Sequence, residues 1–270
     1  MITVSIVLYK TPQKDIRDVL SCVLPSDLVT TVFVIDNSPD TSCSWIQNVS
    51  DKIVYIPHEN TGYGTSHNIA LEKAVQMGST YHLIVNPDIS FETSILNSIT
   101  EYMDTHTDVV YLLPKVLYPN GELQYLCKLL PTPFDLIIRR FFFNRFTQKI
   151  DNYYTLKHSG YNKIINPPCL SGCFMFLRVD TLKEHIIFFD DRYFMYCEDF
   201  DLIRRLHRFG KTLYYPEVSI IHNHAQESYK NVRQLLIHIK SAILYFNKWG
   251  WFFDKERKEM NKKILEEIKK

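Results

Sequence analysis

Glu198, Asp199 and Asp201 fall within four positions, set among Tyr193, Phe194, Tyr196, Phe200 and Leu202. An apolar run some twenty residues on ends in His222, with His224 two positions later. Carboxylates in apolar surroundings are costly to ionise, so such a group holds a cation or moves a proton. The same three acids would also suit the first turn of a helix over residues 198–209, where the helix dipole favours negative charge. The other residues able to do chemistry are asparagines, aspartates and glycines that follow apolar runs: Asp36-Asn37-Ser38, Asn60-Thr-Gly62-Tyr-Gly64 and Asn86-Pro-Asp88.

The elements that must position them alternate between strand and helix. Residues 2–9, 31–36, 52–56 and 82–85 are apolar and rich in β-branched side chains, which predicts strands. Pro12 opens a helix to about residue 23, and helical spacing recurs over 65–76 and 92–105, before a strand near 109–113. Repeated βα units imply an α/β fold with a mostly parallel sheet and helices on both faces. Its ligands belong at the carboxyl ends of the strands, where Tyr9-Lys10-Thr11 and the three polar clusters all fall. Each cluster alone is also good turn chemistry.

After about residue 119 the pattern changes. Asn120-Gly121 marks a hairpin between 115–118 and 123–126. Residues 134–146 mix Arg139, Arg140 and Arg145 with phenylalanines, and 151–168 is polar, tyrosine-rich and reads as a loop. Residues 169–179 read as a strand, 198–209 as a helix, 212–221 as one or two strands, and 229–248 as a long helix. The charged tail keeps Met260, Ile264, Leu265 and Ile268 on one helical face.

With 270 residues, 46% hydrophobic content and a net charge of +1, the chain is an ordered globular protein. A near-neutral chain gives no reason to expect nucleic acid as a partner. The six cysteines are scattered without zinc spacing. The N-terminus enters a strand pattern without a basic region, and no apolar run approaches the ~20 residues of a membrane span. The expectation is a reduced, cytoplasmic protein.

Five motifs in order carry a resemblance: Asp36-Asn37-Ser38, Asn60-x-Gly62-x-Gly64-x-x-x-Asn68, Asn86-Pro-Asp88, Ser171-Gly-Cys-Phe-Met175, and Phe194-Met-Tyr-Cys-Glu-Asp-Phe-Asp-Leu-x-x-Arg-Leu206 with His222. Together they resemble a family 2 glycosyltransferase of the GT-A fold, over roughly residues 2–230. Within that family they are most similar to bacterial rhamnosyltransferase-type enzymes of O-antigen and capsule assembly. The resemblance implies a GT-A domain over 1–228, divided into a nucleotide-sugar-binding half (1–118) and an acceptor and catalytic half (119–228), with C-terminal helices over 229–270.

The resemblance also implies site roles. The donor would be a nucleotide-diphosphate sugar, with dTDP-rhamnose the expected one. Asn86-Pro-Asp88 stands for the family's DxD metal motif with its first aspartate replaced. Asp88 and His222 would therefore hold Mn²⁺ or Mg²⁺, with His224 the rival histidine. Asp36 would accept hydrogen bonds from the nucleoside, and Thr11, Asn37, Asn68 and Asn86 would line the donor pocket. Gly62 and Gly64 would let the backbone approach the donor closely. Asp199 would be the general base of an inverting transfer, with Glu198 and Asp201 raising its pKa by like charge.

The implied acceptor is a lipid-linked or growing surface polysaccharide, met at the inner face of the cytoplasmic membrane by a peripheral protein. Arg139, Arg140, Tyr196 and Arg204 are the candidate acceptor contacts. Arg204 and Arg205 could also neutralise the acidic cluster, or be solvated helix charges. The aromatic and arginine stretch 134–146 and Trp249-Gly-Trp-Phe-Phe253 would suit an anionic lipid interface. The competing expectation is a non-catalytic carbohydrate-binding or scaffold subunit, which Asn86 alone favours.

Overall fold

The computed structural model describes residues 1–40, 42–138, 145–223 and 232–269, with backbone alone at 137–138 and 145–147. Arg139, Arg140 and His224 lie outside the described residues.

One eight-stranded mixed sheet organises the chain, in the order β3-β2-β1-β4-β7-β6-β8-β5. Its first half is parallel: β1 (Ile2–Leu8) lies between β2 (Val29–Asp36) and β4 (Tyr81–Val85), and β3 (Ile53–Pro57) forms the edge. β1 and β4 are apolar almost throughout because both faces are covered. α1 (Gln13–Val23) packs through Ile16, Val19, Leu20 and Val23, one apolar stripe at helical spacing. α2 (Tyr63–Gln76) packs against β1. Leu8 pairs with Asp36 and Asp36 with Pro57, so β1, β2 and β3 end level and their polar tips share one rim.

The sheet is mostly parallel, and its other half supplies the antiparallel pairs. After β5 (Ile89–Ser90) and α3 (Ile95–Thr105), β6 (Val109–Leu117) lies beside β7 (Phe174–Arg178), which runs antiparallel to both β4 and β6. β8 (Lys211–His222) runs parallel to β6. The two-residue β5 pairs antiparallel with the end of β8, Ile89 opposite His222, which sets Asp88 beside that histidine. The sheet is thus continuous across the 118/119 boundary.

Between these strands, the 151–168 stretch is not all loop: α4 (Arg145–Tyr154) occupies its start, because Tyr154 and Leu156 are buried. The Asn120-Gly121 turn forms, yet its second arm makes only one bridge, Leu117 to Leu123. The 169–179 run is a strand only from Phe174, and α5 (Val179–His185) follows it directly. α6 (Glu198–Leu206) precedes β8, and α7 (Val232–Trp249) and α8 (Lys255–Ile268) close the chain. Tyr245 and Phe246 of α7 bury with Leu130, Cys169, Tyr193, Cys197 and Phe200 in a second core under the start of α6. No described helix is long and apolar enough to cross a membrane.

Candidate active site

Two groups of side chains face each other at the carboxyl rim of the sheet. The first is Asp88 with His222, whose Oδ2 and Nε2 lie 3.3 Å apart. Gln124 holds the imidazole from behind: its Oε1 lies 3.0 Å from His222 Nδ1, and its Nε2 donates to the His222 carbonyl at 2.9 Å. Burial disfavours a charged imidazole here, yet hydrogen bonds to Asp88 and Cys173 outweigh it and push His222 up to about 10. No motif marks Gln124, which the 118–122 turn folds back to the site.

The second group is Glu198 with Asp199, at the first turn of α6. Asp199 Oδ1 accepts the Phe200 N–H at 2.9 Å, and Oδ2 accepts the Gly172 N–H at 3.1 Å. Glu198 is buried, and its Oε2 meets no hydrogen-bond partner among the described residues. Burial raises both carboxyls. Glu198 rises well above the usual range, with the Asp199 charge adding to it. For Asp199, the Lys128 ammonium and the two N–H donors oppose the rise. Asp199 is therefore the member that ionises first, and Glu198 the one that keeps a proton. Lys128 sits over the Phe200 ring, 5.1 Å from its centroid, and nothing in its sequence context marked it.

Tyr63 joins the two groups. Its hydroxyl lies 2.9 Å from both Asn86 Oδ1 and the Gly172 carbonyl, while the Asn86 N–H donates to the Cys173 carbonyl at 2.9 Å. Burial raises the phenol well above its ordinary value, and the charges of Glu198, Asp199 and Asp88 add to the rise. A single side chain thus feels both sides of the cleft.

On the β1–β3 side, Asp36 is buried, with Oδ2 accepting the Tyr55 hydroxyl at 2.6 Å and Oδ1 the Ser38 N–H at 3.0 Å. Asn37 is buried too, donating to Ser66 Oγ at 2.6 Å. Thr11 sits at the rim beside them, accepting the Tyr9 N–H at 3.2 Å.

Several expected contacts resolve differently. Asn68 spends its amide on the 189–191 segment: Nδ2 donates to the Phe189 carbonyl at 2.9 Å and to Asp191 at 2.8 Å, and Oδ1 accepts the Phe189 N–H at 2.9 Å. That leaves it a clamp rather than a donor contact. The two glycines admit protein, not ligand. A Cβ on Gly62 (φ 117°) would run into the Phe194 backbone, and one on Gly64 would lie 2.8 Å from the Phe189 side chain. Asp201 does not join the acidic pair. It is fully buried on another side of α6, bound by Arg205 at 2.9 Å, Trp249 at 2.8 Å and Lys248 at 2.7 Å.

Arg204 is no acceptor contact either. Only 1% exposed, it grips both Asp254 oxygens at 2.7 and 2.8 Å and Glu256 at 2.9 Å, and its guanidinium lies 4.1 Å from the Trp249 ring centroid. Tyr196 instead packs edge-on to His238 of α7. It and Cys197 are consecutive left-handed residues (φ 70° and 66°), the turn that delivers Glu198 and Asp199.

This architecture is that of the GT-A glycosyltransferases. S. aureus TarS bound to UDP-GlcNAc superposes with a TM-score of 0.62 at 16% identity, covering 98% of this chain and 71% of that one. Against a longer TarS chain the TM-score is 0.58 at 16% identity, and this chain, 99% covered, spans 42% of its length. GalNAc-T7 with UDP, GalNAc and Mn²⁺ superposes at 0.57 with 10% identity, over 82% of this chain and 43% of that one. In sequence the chain is similar to rhamnosyltransferase WbbL of Escherichia coli K12, 29% identical over 203 residues, 71% of this chain and 72% of WbbL. No family model matches it. In fold the chain is thus similar to TarS and GalNAc-T7, and in sequence to a rhamnosyltransferase.

Proposed function

We propose that the chain is an inverting, divalent-cation-assisted transferase that moves a sugar, rhamnose from dTDP-rhamnose, onto a hydroxyl of a lipid-linked or growing surface polysaccharide. We also place residues 1–118 on the donor side and 119–228 on the acceptor side. The observation that carries the reading is that Tyr63 ties Asp88–His222 to Glu198–Asp199, its hydroxyl donating to Asn86, two residues before Asp88, and to the carbonyl of Gly172, whose N–H binds Asp199. The likeness to WbbL supports the donor, and the nucleotide-sugar complex of TarS supports its chemical class.

The donor set fits a metal. Two ligands about 2.1 Å from an octahedral ion stand roughly 3.0 Å apart when adjacent, close to the 3.3 Å separation of Asp88 and His222. Among the described residues no cluster of three or more ligating side chains forms, so water and donor phosphate oxygens would complete the shell. Mn²⁺ suits the imidazole better than Mg²⁺ does. When bound, the ion supplies Lewis-acid stabilisation of the departing diphosphate.

The protein's own residues do the rest. Asp199, held by two backbone N–H groups, takes the proton of the acceptor hydroxyl as its oxygen bonds the anomeric carbon and the bond to the diphosphate breaks. Protonated Glu198 keeps a second negative charge away from that base. Asn86, fixed by the Tyr63 hydroxyl, faces the donor sugar, and Asp36, Asn37 and Thr11 border the nucleoside. A base on one side and the leaving group on the other gives inversion. No paired nucleophile and acid of the glycosidase type is present among the described residues.

The test is nucleoside diphosphate release from a panel of nucleotide sugars with Mn²⁺ or Mg²⁺, with and without chelator. dTDP-rhamnose should be the preferred donor and chelation should abolish release. Asp199→Asn should bind donor and lose transfer. Full transfer by that variant, or by Asp88→Ala in chelator, would remove the mechanism.

A further inference from the structure

Behind the turn that presents Asp199, a groove of about 250 Å³ opens between residues 192–194 and α7. Its floor is apolar, from Phe194, Ile237 and Leu244, and its rim carries Arg233 and Lys240 together with Arg192, which is paired with Asp190 at 2.6 and 2.8 Å. On α7 the lining residues 233, 237, 240, 241 and 244 recur at helical spacing, so one continuous face forms the wall. Ser241 ties that face to the site, its hydroxyl donating to the Met195 carbonyl at 2.7 Å. From Phe194 the site is one hydrogen bond away, since its carbonyl accepts the Tyr63 N–H at 2.9 Å.

Beyond the groove, apolar side chains continue on the exposed surface of α7, with Val232 at 72%, Leu236 at 62% and Ile243 at 40%. On the turn after it, Phe252 and Phe253 are 79% and 97% exposed. A neutral lipid has no use for cations at its edge, and a sugar, which could stack on the Phe194 ring, would leave the aliphatic floor of Ile237 and Leu244 unused. Charge and polarity together match one kind of molecule, an apolar chain with a phosphate head.

We propose that this groove seats the lipid-phosphate portion of the acceptor, its chain against Phe194, Ile237 and Leu244 and its phosphate among Arg192, Arg233 and Lys240. That rests on the acceptor reading above and adds to it where the acceptor's non-sugar end binds.

The experiment titrates the full chain, without donor, with farnesyl diphosphate below its micellar concentration, following tryptophan fluorescence. Farnesol and inorganic diphosphate are run alongside. Farnesyl diphosphate should bind at least tenfold more tightly than either fragment. Ile237→Asp and Lys240→Glu should each weaken it at least tenfold, and Lys73→Glu, on α2, should not. Equal binding of inorganic and farnesyl diphosphate, or farnesyl diphosphate binding that ignores both α7 substitutions, overturns the proposal. Because no donor or turnover is involved, loss of the transferase reading through Asp199→Asn leaves this result standing or falling by itself.

Discussion

Replacing Arg204 by alanine tests what holds the catalytic helix in place. Arg204 lies on α6 about one and a half turns beyond Asp199, and its partners Asp254 and Glu256 open α8. Both members of the Arg204–Asp254 pair are dry, at 1% and 3% side-chain exposure. Removing the guanidinium leaves Asp254 charged, buried and without that bidentate partner, which costs about 3–5 kcal/mol. Against a total stability on the order of 5–15 kcal/mol, that is a large fraction. The lost stack on Trp249 adds to it and supplies the signal, since indole fluorescence will report the change directly. Urea unfolding at neutral pH should therefore show a midpoint well below that of the parent. A second variant, Arg204→Met with Asp254→Asn, removes both charges and should recover a substantial part of the loss. A loss under about 1 kcal/mol for Arg204→Ala, or an acceptor KM effect with unchanged stability, would refute the anchoring argument.

Three further outcomes follow from the geometry. Gly62→Ala should cost about 1–3 kcal/mol and depress transfer, because the backbone at φ 117° is strained for alanine and its Cβ meets the Phe194 backbone; thermal melting and turnover check both. Buried His82, its ring nitrogens each 2.9 Å from a hydroxyl (Thr3, Ser5), is pushed down to about 3 by burial, so the unfolded chain binds its proton first. His82 by itself should take away roughly 1.4 kcal/mol of stability per pH unit below about pH 6.5, about 2 kcal/mol by pH 5; His67 and His207, also held down by burial, add to the fall, so His82→Gln should lessen the slope without abolishing it. Lys128→Met removes the charge that favours ionised Asp199, so the acid limb of the rate profile should move to higher pH while donor affinity stays the same; an unmoved limb would sever Lys128 from the base.

Much of this was readable from residue order, and the failures have physical causes. The parallel half was legible because doubly covered strands are unbroken β-branched runs and their polar ends must meet at one rim. The antiparallel half was not, because β5 is two residues long and β7 owes its place to pairing with β4. The resemblance alone pairs Asp88 with His222, while the pairing of Ile89 with His222 that brings them together is visible only in the sheet. The acidic triplet was misread as one cluster. Residues two apart on a helix point to different sides, so Asp199 turns to the cleft and Asp201 to α7. Arg204 was misjudged because burial cannot be seen without α8, some fifty residues later.

The segment from Tyr193 to Phe200 explains why these distant parts must fold together. Its Phe194 carbonyl caps the start of α2, its Met195 carbonyl takes Ser241 of α7, and its end carries the carboxylate that meets Gly172 beside β7. Between those ties, Tyr196 and Cys197 sit in left-handed conformations that cost about 1–3 kcal/mol each for residues other than glycine. Such strain persists only where the surroundings over-determine it, and here three elements do so: α2, α7 and the strand beside the base. The C-terminal helices therefore pack into the turn that carries Glu198 and Asp199 and are not an appendage. Loosening α7 by Ser241→Ala should release the turn and, on the proposed mechanism, lower transfer more than it lowers donor binding; equal losses of both would detach the turn from the proposed base.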